Sequence, residues 1–118
     1  MNEQRLLVFG DRNWDNFRAV KREIERRMPG VIIEGEAKGA DTLARLAGED
    51  LGIVVLQFPA KWSEYGRAAG PIRNRQMLDE GKPTEAIGFH EDIANSKGSK
   101  NMMEQAMKRG IPTTIYRK

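Results

Sequence analysis

VIIEGEAKGADTLARLAGEDLGIVVLQF, residues 31–58, decides how this chain folds. Val31–Gly35 is a short apolar run rich in β-branched residues, which suits a buried strand. Asp41–Leu51 reads as a helix stopped by Gly52, and Ile53–Phe58 is a second apolar run. A strand, a helix and a strand in so few residues close as a right-handed crossover between parallel strands.

The alternation continues in both directions. RLLVFG (Arg5–Gly10) precedes it, and EAIGF (Glu85–Phe89) and TTIY (Thr113–Tyr116) follow. Helical patterns fill the intervals at Asn16–Met28, Pro71–Glu80 and Ser99–Arg109. The first carries Phe17, Val20, Ile24 and Met28 at spacings of three and four, and the last carries Met102, Met103, Ala106 and Met107. Pro29-Gly30, Gly81, and Gly110 followed by Pro112 punctuate them. The expectation is one α/β domain over residues 1–118, a Rossmann-like three-layer sandwich around a mainly parallel sheet of about five strands. Gly10, Gly35, Pro59 and Phe89 should lie near one edge of that sheet, where ligands of open α/β sheets bind.

Composition sets outer limits. At 39% apolar and 31% charged, the 118 residues suit a folded globule rather than a disordered chain. No apolar run is long enough to span a bilayer, and MNEQRLLVFGD lacks the layout of a signal peptide, so a cytoplasmic protein with no membrane partner is expected. Without cysteine there is no disulfide or thiolate chemistry, and His90, the only histidine, has no second histidine to build a zinc site. No metal and no Ser-His-Asp set is legible. The net charge of +3 comes from the last segment, 97–118, with six basic residues against one acidic. Such a bias could attract an anionic ligand or nucleic acid, or simply be a solvated face.

The candidate site gathers at the loops after the strands. In GEAKGADTLA (Gly35–Ala44) the spacing is neither the dinucleotide fingerprint nor a Walker loop. Gly39 would let backbone approach a ligand. Asp41 reads two ways, as a helix cap or as an acceptor for ribose hydroxyls or a base amine. In SKGSKNM (Ser96–Met102), Gly98, Ser99 and Lys100 stand at a helix start and suit an anion; a serine N-cap with solvated lysines would look the same. AAGPIRNRQMLDEG (Ala68–Gly81) opens on Gly70-Pro71, which fits proline at the first helical position and puts Arg73 and Asn74 in the first turn. Arginine there opposes the helix dipole unless an anion is bound. Arg73 should share a face with Met77, and Arg75 should point elsewhere. Trp62 is expected to pin its loop to the core, and Trp14 is open between that role and a stacking one.

Together, GEAKGADTLA, FPAKWSEYGRAAGPIRNRQM and SKGSKNMMEQAMKRGIP resemble the SLOG superfamily, and most of all its small YspA/YpsA-related branch met in bacteria and phages. The resemblance runs from GDRNW to GIP. It implies binding of a nucleotide or nucleotide-derived ligand at the carboxyl edge of the sheet. The LOG phosphoribohydrolases of the superfamily use an arginine of Arg-Lys-x-x-Met and a glutamate of Pro-Gly-Gly-x-Gly-Thr-x-x-Glu. Arg73 matches the arginine and Gly98-Ser99 the Gly-Thr. Ala94, Asn95 and Ser96 replace Pro-Gly-Gly, however, and Met102 stands in the place of the glutamate. Glu104 lies roughly 200° around the helix from that place. The DprA-like members carry an Arg-Asn-Arg motif like Arg73-Asn74-Arg75.

The expected function is a sensing or sequestering module for a nucleotide-type small molecule, with no further cofactor. Gly98, Ser99 and Arg73, with Lys100 adjacent, would take the phosphate and Asp41 the ribose or base, with Gly10 and Arg12 bordering the pocket and Gly39 and Asn74 also expected to bind the ligand. A nucleotide N-glycosidase and single-stranded nucleic-acid binding are the alternatives, and homo-oligomer formation stays open.

Overall fold

A computed structural model describes residues 2–118. Five strands form one sheet: β1 (Arg5–Gly10), β2 (Val31–Glu34), β3 (Val54–Gln57), β4 (Glu85–Phe89) and β5 (Thr113–Tyr116). Their order is β3-β2-β1-β4-β5 and every pairing is parallel. Order reverses between β1 and β4, so the crevice outside their carboxyl ends is the topological switch point. Leu7 pairs with Ile33 on one side and Ala86 on the other, so β1 is central and apolar on both faces.

The pleat sorts side chains into two cores. Leu6, Val8, Ile32, Ile87 and Phe89 pack under α1 (Phe17–Arg27) and α2 (Ala40–Leu51). Leu7, Phe9, Ile33 and Ala86 pack on the other face, with Met77 and Leu78 after α4 (Ala69–Gln76), and Met102 and Ala106 of α5 (Gly98–Lys108). A short helix, α3 (Trp62–Tyr65), lies between β3 and α4. The observed fold is the expected α/β sandwich with helices on both faces.

Local signals explain most boundaries. Asn16 caps α1, its Oδ1 accepting from the Ala19 amide at 3.1 Å. Gly52 ends α2 in the left-handed region at φ 70°. The Gly70-Pro71 expectation fails. Helical backbone already runs through Gly66–Ala68, and α4 begins at Ala69. Pro71 is thus the third residue of α4, where its missing N–H is still among those without an intrahelical acceptor. Arg73 falls in the second turn, so the supposed conflict with the helix dipole disappears. Beyond Gln76 the helix widens into a π-type turn, Met77–Gly81.

Candidate functional site at the carboxyl edge

The site grows from the end of β2. Glu34 is the last residue of an otherwise apolar strand and is fully buried. One of its oxygens accepts from the Glu36 amide at 2.6 Å, and the Gln57 side-chain amide lies 3.3–3.4 Å from both. Burial, reinforced by the negative charge of Asp41, pushes the Glu34 carboxyl up to about 7. Asp41, in the first turn of α2, is buried as well. Its Oδ2 accepts from the amides of Gly35 and Ala37 at 3.1 and 3.2 Å. Burial pushes its pKa up, against the opposing pull of the Arg73 guanidinium and those two amides.

Arg73 enters this acidic corner from α4. Its Nη1 donates to the Gly35 carbonyl at 2.5 Å and to that of Phe58 at 3.5 Å, and its Nε donates to Asn74 Oδ1 at 3.1 Å. Burial pulls its pKa down and Asp41 and Glu34 oppose this; a guanidinium keeps its proton regardless. Asn74, 3% exposed, extends the chain of contacts by donating to the Gly98 carbonyl and to Asn101 Oδ1, both at 3.1 Å. Hydrogen bonds therefore run from the loop after β2, through Arg73 and Asn74, to the start of α5. Arg73 also lines a groove of 280 Å³ of mixed charge, with Lys61, Tyr65 and Arg75 and with Asp79 and Glu80. Met77 is buried and Arg75 exposed, as the helical spacing requires.

Asp41 is not the helix cap: Gly39 holds that position without a side-chain bond, and the Asp41 carboxylate folds back onto the preceding loop. Gly39 has φ 74°, and an added Cβ there would run into the backbone of Asp11 and Arg12. Its close approach is therefore to the loop after β1. The Ala40 amide donates to the Asp11 carbonyl at 3.1 Å, which occupies one donor at the start of α2. Gly10 is packed just as tightly, with Phe89 backbone and the Ala40 side chain where its own Cβ would stand. Arg12 and Gly39 share a second groove of 420 Å³ with Lys38 and Thr42, away from Arg73. The expected site is thus split in two.

At the start of α5, Gly98 and Lys100 are exposed and Ser99 half-buried. Ser96 does the capping: its Oγ accepts from the Lys100 amide at 3.0 Å. Trp14 proves to be core, 3% exposed, with its ring centroid 5.5 Å from that of Phe89. Trp62 reverses its expectation, being 57% exposed. His90 accepts from the Asp92 amide through Nδ1. The residue that sequence reasoning missed is Glu34. Its signal was a lone acidic residue closing an apolar strand at the carboxyl edge.

A parallel sheet with this order and a buried polar cluster at its carboxyl edge defines a Rossmann-like protein. Within that class the chain belongs to the YAcAr family, described as the YspA, cpYpsA-related SLOG family, whose model matches residues 4–65. It is similar to the Gene 61 protein of Mycobacterium phage D29, with 29% identity over 123 residues and 96% of each chain covered. Its fold is similar to that of DNA processing protein A (DprA) from Streptococcus pneumoniae, with a TM-score of 0.73 and 21% identity. That likeness covers 95% of this chain and 50% of DprA, so the chain spans half the length of that protein. Among the described residues, no helix is long and apolar enough to cross a membrane.

Proposed function

We propose that this protein binds a nucleotide or nucleotide-derived small molecule at the carboxyl edge, with Arg73 as its anion-binding residue. One observation carries the reading. Nε and Nη1 of Arg73 are held by Asn74, Gly35 and Phe58, whereas Nη2 has no partner among the described residues. No buried side-chain nitrogen there is left without a partner, so Nη2 reaches solvent. A guanidinium fixed on one side and open on the other is preorganised for a phosphate or carboxylate. Gly98 meets Asn74 through its carbonyl, and Ser99 and Lys100 follow in the first turn of α5, where their hydroxyl and ammonium would add donors. Asp41 and Glu34 accept from the amides of the loop after β2 and orient it. Asp41 faces the guanidinium as its nearest opposing charge, a role beyond the ribose or base contact expected of it.

Family membership and the switch-point position support the same reading. The test is calorimetric titration of the protein with a panel of nucleotides, alongside Arg73→Ala and Arg73→Lys. Losing one charge-assisted hydrogen bond should weaken binding by about 1.5–3 kcal/mol. Lysine should not rescue, since it cannot span two carbonyls and a ligand. Unchanged affinity in both variants for every nucleotide that binds would remove Arg73 from the site. A submicromolar complex with single-stranded DNA at physiological salt, lost in Lys100→Glu and Lys108→Glu, would instead favour nucleic-acid binding.

A further inference from the structure

The helix α3 leaves its aromatic side chains in water. Trp62 is 57% exposed and Tyr65 43% exposed, and no residue of this helix is buried. Single exposed aromatics are ordinary, but here two occur within four residues, just ahead of α4, the helix that carries Arg73. Tyr65 lines the same 280 Å³ groove as Arg73. Trp62 lies over Gly70, its Cη2 3.5 Å from where a Cβ on that residue would be. Gly70 precedes Arg73 by three residues and Asn74 by four, so all three share one side of α4. Tyr65 thus shares the groove of the guanidinium, and Trp62 packs on α4 one helical turn before Arg73.

We propose that Trp62 and Tyr65 form the platform on which the planar base of the ligand stacks while its phosphate meets Arg73. This rests on the nucleotide reading above and adds the residues that recognise the base. An aromatic face serves any base, so the platform contributes affinity more than base selectivity. It also gives the exposed rings a task that packing does not.

Trp62 supplies its own readout, because the only other tryptophan, Trp14, is buried. The emission of Trp62→Phe isolates the Trp14 signal, and the difference from wild type reports Trp62. The probes are AMP, GMP and ADP-ribose, with ribose 5-phosphate as a phosphate that lacks a base. Stacking predicts quenching of Trp62 by the first three and none by the fourth. Trp62→Ala and Tyr65→Ala should each weaken AMP binding on the order of tenfold or more. Trp62→Phe should retain most of the affinity, and circular dichroism should show all variants folded.

Three results would overturn the platform. If AMP, GMP or ADP-ribose binds and Arg73→Ala weakens it, but the aromatic variants bind normally without quenching, the base lies elsewhere and the nucleotide reading stands. If none of these probes binds, the platform and the nucleotide reading fail together. If the aromatic variants change sedimentation rather than binding, the exposed rings belong to a contact between copies.

Discussion

The Arg73 guanidinium and the Gly35 carbonyl meet at 2.5 Å across 38 residues of sequence, joining α4 to the end of β2. Gly35 has no side chain at the point where the guanidinium arrives. A Cβ there would collide with Arg73 and come within 2.9 Å of the Asp41 carboxylate. The contact thus depends equally on a long cation and on an absent methyl group.

Gly35→Ala should therefore move Arg73 as well as strain the loop. Overpacking of this kind costs typically 1–3 kcal/mol, roughly. Urea unfolding should show that loss, and nucleotide titration should show weaker binding than an equally destabilised variant in a distant core. Wild-type stability would mean the loop yields without cost.

Glu34 makes stability depend on pH in a direction opposite to that of a salt-bridged carboxylate. Its folded value of about 7 lies above its ordinary 4.5. Between those values the folded protein holds a proton that the unfolded chain has released. Stability from this group is therefore full below about 4.5 and is lost as pH rises through about 7, by up to roughly 3 kcal/mol. Asp41 is pushed the same way and adds to the fall. Glu34→Gln should flatten the profile between pH 5 and 8, approximately; unfolding curves across that range with an unchanged slope would contradict the assignment.

Tyr116 ties the last strand to α1. Its hydroxyl accepts from Arg27 Nη2 at 2.8 Å and from Arg26 Nη2 at 3.1 Å. Tyr116→Phe keeps the ring stacked on Phe89, with centroids 5.4 Å apart, and removes both bonds. A loss of about 1–2 kcal/mol in chemical denaturation is expected, because Arg27 is poorly hydrated and its donor is left short of a partner. Nucleotide affinity should not change.

Hydrolysis of a nucleoside monophosphate at its glycosidic bond should be negligible. The oxocarbenium-like transition state calls for a nearby carboxylate. Met102 is 1% exposed within the core, and Glu104 is exposed on another side of α5. Asp41 and Glu34, the buried carboxylates at this edge, are engaged with backbone amides. Multiple turnovers of base release, followed by chromatography and abolished in Asp41→Asn or Glu34→Gln, would show that one of them acts after all.

The class of fold and the loops at its carboxyl edge were legible because apolar runs and glycine punctuation act over short distances. Val31–Phe58 carries a complete strand–helix–strand unit, and strand boundaries read from it fell within a residue of those observed. Arg73, Asn74 and Asp41 were also legible as polar residues in loops or helix turns near that edge. Their roles were less so. The Pro71 signal misplaced a helix start because the residues before it continue the helix, which proline tolerates in a first turn. Trp62 and Trp14 carry the same side chain, and only packing separated them.

Sequence alone determined the parallel α/β architecture, since periodicity and turn chemistry are properties of neighbouring residues. Tertiary structure alone decided that Arg73 would meet Gly35, that Glu34 and Asp41 would share one buried corner, and that Arg12 would face a different groove. Those outcomes depend on which strand ends lie side by side and how much water each polar group loses. Both follow from the packing of distant segments, and a linear pattern does not encode them locally.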